Sequence, residues 1–152
     1  MTEAGDVIQE FSHRKRTVKL KTTTGCTKGQ VLAYDTDGYA PADADAASAN
    51  IGPFYVATKT VAAPASGQAD AEVLEEGVII LDKVTGAIAD GDWVGLSTTP
   101  GKVTSFSKPD APGSYAEATM QAELDKIFKR IGRAYGAAAT NDTTVKVRLL
   151  SY

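Results

Sequence analysis

The chain has little of what most enzymes use. Its 152 residues include one cysteine, Cys26, and one histidine, His13. A single cysteine excludes an intramolecular disulfide and, without Cys or His partners at metal spacing, argues against a zinc site. It fits a reducing compartment and reads as a small buried filler. A histidine-dependent triad would have to use His13, which sits in the basic run His13-Arg14-Lys15-Arg16 and reads as a solvated side chain. No G-x-x-x-x-G-K-[ST] or G-x-G-x-x-G signature occurs. Asp90-Gly91-Asp92 lacks the remainder of a calcium loop and reads as a solvated turn. Glu75 and Glu76 are strand neighbours and point to opposite faces, a poor arrangement for paired acid–base work. No apolar run approaches the roughly 18 residues needed to cross a bilayer, and the polar, acidic N-terminus does not resemble a signal peptide. No enzyme activity, cofactor, metal or membrane association is therefore expected. Aromatics make up only 7% of the chain. Trp93 and Tyr55 read as core residues rather than ligand platforms.

What is present is β-structure. From Val78 to Val103 the chain alternates short apolar runs with turns at Thr85-Gly86, Asp90-Gly91-Asp92 and Thr99-Pro100-Gly101. Strands this short, with a Gly or Pro signal every eight to ten residues, mark a small barrel or sandwich. Strands are expected over Thr17–Thr22, Gln30–Tyr34, Ile51–Val61, Ala71–Leu74, Val78–Leu81, Trp93–Leu96, Lys102–Phe106, Ile131–Ala138 and Thr143–Leu150. Asp35-Thr36-Asp37-Gly38 is a hairpin turn. One helix is expected, over 115–127. It is opened by the capping box Ser114-Tyr115-Ala116-Glu117 and carries Met120, Leu124, Ile127 and Phe128 at helical spacing.

Two stretches resemble each other. Ile51-Gly52-x-x-Tyr55-x-Ala57 matches Ile131-Gly132-x-x-Tyr135-x-Ala137 at four positions. Val18 and Gly25, Val31 and Gly38, Ile79 and Gly86, and Val94 and Gly101 share a spacing of seven. Although β-proteins reuse Gly and Val at turn spacing without duplication, the shared order suggests two related β-units, 17–75 and 77–150, the second with a helical insertion. Each unit is too small to bury a face alone, so the two should share one core.

The net charge of −3 disfavours a nucleic-acid partner, but the charge is uneven. The basic run, with Lys19 and Lys21, contrasts with a mostly acidic stretch from Asp70 to Asp92. The run reads either as a solvated patch or as a site for an acidic protein surface. Residues 1–16 are expected to form an extended N-terminal arm, loose in the isolated chain, preceding a body over 17–152.

Several motifs have a family likeness: the spaced pair Gly29-x-Val31 and Gly38, Gly77-Val78-Ile79-x-Leu81, Thr85-Gly86-Ala87-Ile88-Ala89-x-Gly91-Asp92-Trp93-Val94, Ile131-Gly132-Arg133-Ala134 and Val145-Lys146-Val147-Arg148-Leu149-Leu150. Together they resemble the small capsid decoration, or cement, proteins of tailed phages and related viruses, the analogues of the lambda head decoration protein. The likeness covers most of 17–150, rests on structural turns, and does not account for the helix at 115–127. It implies a mainly β, compact β-barrel or β-tulip-like body. It also implies a homotrimer on the outer surface of an expanded HK97-type capsid, where it would bridge major capsid protein subunits and stabilise the virion. On this expectation the arm residues Val7, Ile8, Phe11, Arg14, Lys15 and Arg16 bind the shell, Ile8 and Phe11 as anchors and the three cations against acidic groups. The rival readings are another phage structural or carbohydrate-binding β-module of tail or fibre, and a hydrolase of unfamiliar type.

Overall fold

A computed structural model describes residues 3–8, 13–44, 52–106, 109, 111, 113 and 115–150. The chain order is β1 (Arg14–Lys19), β2 (Val31–Asp35), β3 (Gly38–Pro41), β4 (Tyr55–Ala57), β5 (Asp70–Glu76), β6 (Val78–Asp82), β7 (Trp93–Leu96), β8 (Val103–Ser105), α1 (Glu117–Phe128), β9 (Arg130–Ala134) and β10 (Thr144–Leu149). The strands form two antiparallel five-stranded sheets, ordered β1-β5-β4-β2-β3 and β6-β10-β9-β7-β8. Adding five to each number of the first sheet gives the second, so both units share one topology.

No closed barrel forms among the described residues. The end strands of each sheet approach one another only at single parallel bridges, Leu20 with Tyr39 and Lys83 with Val103. With four and three residues, β3 and β8 are too short to extend those bridges into ladders. Both sheets therefore curl without closing.

A hydrogen-bonded latch fixes the register of each unit. Gly29 N–H donates to the Ala57 carbonyl at 2.8 Å, and Ala57 N–H to that of Gln30 at 2.9 Å. In the second unit Gly91 N–H donates to Ala134 at 3.0 Å and Ala134 N–H to Asp92 at 2.8 Å. Ala57 is thus equivalent to Ala134, three residues from the Ala137 suggested by sequence matching, and Val31 to Trp93 rather than Val94. Abundant Gly and Ala make such matches slip, whereas backbone pairing does not. Ile51, which opens the matched motif, lies outside the described residues.

Two expected strands are shorter than the apolar pattern suggested. In both units the chain leaves its sheet early and returns at one antiparallel bridge, Cys26 with Val61 and Ile88 with Ala138. The helix starts at Glu117, not 115. Ala116 caps it in an extended conformation with no side-chain hydrogen bond, and Ser114 of the expected capping box is outside the described residues. No residue of α1 is buried, so nothing packs the extra turn into place.

The main core lies between the sheets. Val31, Ala33, Phe54, Val56 and Leu74 of the first unit pack with Ile79, Leu81, Val94, Ile131, Val147 and others of the second. This is the shared core expected of two half-sized units. The first unit also has a cluster of its own, comprising Val18, Leu20, Cys26, Leu32, Tyr55, Ala57, Ala71 and Val73. Consecutive residues Val31, Leu32 and Ala33 are therefore all buried, with alternate side chains entering different clusters.

Candidate functional site

The predicted arm is largely part of the body. Val7 pairs with Ile79 of β6, and Ile8 N–H donates to the Val78 carbonyl at 2.9 Å. Gly5 N–H donates to Ile80 at 2.5 Å and Ile80 N–H to Asp6 at 3.1 Å, repeating the latch of the two units. The turn chemistry repeats too. Glu3 N–H donates to the Asp6 carboxylate at 2.7 Å, as Thr27 N–H does to the Gln30 amide oxygen at 2.8 Å and Ala89 N–H to the Asp92 carboxylate at 3.2 Å. In all three turns the glycine before the capping residue has φ near +80°, at 81°, 87° and 82° for Gly5, Gly29 and Gly91. Gly5-Asp6-Val7-Ile8, Gly29-Gln30-Val31-Leu32 and Gly91-Asp92-Trp93-Val94 are thus three copies of one turn-and-strand element. That spacing is present in the sequence and is the local signal that sets residues 3–8 apart from a loose arm; their place at the edge of β6 is seen only in the backbone pairing. Val7 and Ile8 are half-buried there rather than loose. Phe11 lies outside the described residues.

Arg14, Lys15 and Arg16 belong to β1, so the boundary expected at 16/17 falls inside a strand. They face the chain's own acids on β5. Arg14 Nε lies 3.0 Å from Glu75, Lys15 Nζ 3.3 Å from Glu72, and Arg16 3.6 Å from Glu75. Lys19 and Asp70 continue the series at 2.8 Å. The uneven charge noted in the sequence is satisfied internally by antiparallel pairing of a basic and an acidic strand. Each pair is exposed and contributes little alone, but the series aligns the two strands. Thr58 donates a hydrogen bond to Glu72, and with the nearby Lys15 and Lys59 this holds its carboxyl below its ordinary range. The Lys28 ammonium, 2.6 Å from Asp6, does the same for the carboxyl that caps the N-terminal turn.

The second sheet has a different surface. Antiparallel register places Trp93 opposite Arg133, and Arg133 opposite Arg148. The Arg133 guanidinium lies over the Trp93 ring at 4.3 Å, and that of Arg130 at 4.5 Å. Arg130 also reaches Phe106 at 5.9 Å, and its Nε donates to the Ile127 carbonyl at 3.1 Å. Trp93 is half-buried on an outward face, not a core residue. Tyr55, by contrast, is buried as expected, with Arg16 donating to its hydroxyl at 3.2 Å.

Beside this face α1 exposes its apolar stripe. Met120, Leu124, Ile127 and Phe128 are 42%, 50%, 37% and 50% exposed. A shallow apolar recess of about 170 Å³ lies between the end of α1 and the sheet edge, lined in part by Gly95, Leu96, Phe106 and Lys129.

Elsewhere the polar groups hold structure. Lys83 is buried, and its ammonium donates to the carbonyls of Val84, Gly86 and Thr140 at 3.1, 2.7 and 3.3 Å. Burial pushes the Cys26 thiol up, away from the reactive thiolate. Asp90 accepts from Gly136 N–H at 2.7 Å, which ties that carboxylate into a turn. Among the described residues no three His, Cys, Asp or Glu side chains group to hold a metal, and no helix is long and apolar enough to cross a membrane. Compared with known proteins, the chain matches no family model, no curated protein and no solved structure.

Proposed function

We propose that the chain is a capsid decoration protein, a homotrimer that binds the outer surface of an expanded HK97-type shell and bridges major capsid protein subunits. The turn and strand motifs from Gly77-Val78-Ile79 to Val145-Lys146-Val147-Arg148 support this reading, as do two curled sheets that would form the halves of a β-tulip-like body. The observation that carries it is α1: a twelve-residue helix that buries none of its own residues. A helix of that length is marginal in water without packing, and four exposed apolar side chains along one stripe call for a covering surface. A protein whose principal unfilled feature is a contact surface fits a role in adhesion better than one in catalysis.

The mechanism is mass action. A protein that binds only the expanded lattice stabilises it by its binding free energy, summed over many copies. Here residues 3–8 already occupy the edge of β6 in their own chain, so strand addition by this arm to a shell would require its release. The contact is assigned instead to α1 and the sheet beside it. The test is co-sedimentation of purified protein with expanded and unexpanded shells, with immobilised glycans as the arm for a tail or fibre module. Binding to expanded shells alone, lost in Leu124→Glu/Phe128→Glu, is the expected result. Glycan binding without shell binding overturns the reading.

A further inference from the structure

We infer that the outward face of the second sheet, centred on Arg133, Arg148 and Trp93, is a docking site for a carboxylate-rich segment of a partner protein. The inference deepens the proposal above, since on that reading the segment belongs to the shell. The two sheets differ in how their cations are used. On the first, β1 carries four, and all are paired with carboxylates of β5. On the second, Arg133 and Arg148 stand directly opposite one another on adjacent strands. Among the described residues neither has a carboxylate partner. Like charges at directly opposed positions destabilise a sheet, and a sequence that departs from a local rule in this way does so most often at a functional site.

The aromatic ring orients the charge. A guanidinium stacked by its face on an indole keeps its N–H edge for in-plane acceptors, and the fork of donors on that edge matches a carboxylate. The Arg133 guanidinium lies over the Trp93 ring at 4.3 Å, and that of Arg130, whose Nε is already engaged by the Ile127 carbonyl, at 4.5 Å. Trp and Arg are, with Tyr, the residues enriched where binding energy concentrates in protein interfaces. Arg130 also links the patch to α1 through the Ile127 carbonyl, so the charged face continues into an exposed apolar stripe. An apolar centre beside oriented cations suits a protein surface bearing acidic side chains. A nucleic acid would need a longer basic groove and free aromatic faces, whereas this ring is covered and the chain is acidic overall, at −3.

Trp93 is the sole tryptophan, so its fluorescence reports on the site directly. The probe is a deca-glutamate peptide, titrated at low and at high salt, with decathymidylate as the competing polyanion. Heteronuclear NMR shifts give a readout independent of the ring. Wild-type protein should show a saturable change that weakens with salt. Arg133→Gln/Arg148→Gln should bind at least tenfold more weakly, while Lys19→Gln, on the other sheet, should match wild type. Absence of a saturable response in wild type, an unchanged response in the double variant, or tighter binding of decathymidylate would each overturn the inference. Shell sedimentation separates the two readings. If wild type and the double variant bind shells equally, this site is wrong and the decoration reading stands. If wild type binds deca-glutamate but no shell, the reverse holds.

Discussion

At the scale of single residues, the constraints come from close backbone approach and from buried donors. A Cβ at Gly132 would collide with the Arg148 carbonyl oxygen, and its other nearest neighbours are also in β10. The β9–β10 pairing cannot yield without opening the sheet. Gly132→Ala should therefore cost at least the 1–3 kcal/mol typical of overpacking. Gly113→Ala, where a Cβ would meet open space, should be close to neutral in the same urea titrations. Lys83 makes the second residue-scale case. Its three carbonyl acceptors belong to two segments far apart in sequence, so it staples the turn after β6 to the turn before β10. Lys83→Met keeps the stem and removes the donors. It should lose about 1–3 kcal/mol by urea denaturation, the usual cost of buried polar groups left unmade. The sequence pattern gave no hint of this lysine, because a cation at the end of an apolar strand reads as solvent-facing. Trp93 departs from expectation for the opposite reason: hydrophobic bulk argues for the core, and only the register opposite Arg133 shows which side of the sheet it takes.

At the scale of elements, the N-terminal turn and α1 differ in how they are held. Residues 3–8 are held by backbone pairing to β6 and by the Asp6–Lys28 contact. The Asp6 carboxyl is lowered chiefly by its hydrogen bond from Lys28. A carboxyl lowered in the native state adds stability above its unfolded value, near pH 4, and that stability is lost as pH falls through the lower native value. Glu72 has the same sign, from Thr58 first. Amides of β6 and β5 should thus be protected from hydrogen exchange at pH 6 and lose protection on acidification below about pH 4. In Asp6→Asn the β6 protection should already be reduced at pH 6. Alpha-1 should behave differently. Because it buries nothing, Leu124→Gln should shift unfolding of the isolated chain by no more than about 0.5 kcal/mol, the range of ordinary surface changes. Most strands were legible from alternation and turn residues because those signals are local. The shortening of the Ile51–Val61 and Ile131–Ala138 runs was not, since it depends on which backbone groups the partner strand leaves free.

For the whole molecule, the repeated topology sets how cooperatively the chain folds. The two units have the same strand order, yet they are not equally self-sufficient. The larger cluster draws on both sheets, whereas the smaller is built entirely from the first unit. Cutting at Gly77 would expose Ile79, Leu81, Val94 and Val147 on the second half and Val31, Val56 and Leu74 on the first. Burial of each such side chain is worth about 1.5–3 kcal/mol, so neither half can lose this contact and keep a net stability of the usual 5–15 kcal/mol. The second half also loses the 3–8 segment that pairs with the edge of β6. Fragments 1–76 and 77–152 should therefore lack cooperative thermal transitions when prepared separately. The first should keep more residual β-structure by circular dichroism, because its private cluster survives the cut. Mixed in equal amounts, the two should regain a single transition, since the pairing surface is a core that needs no covalent link at Gly77. Independent cooperative unfolding of 77–152 would show that the second sheet does not depend on the first, and the duplicated units would then be separate domains.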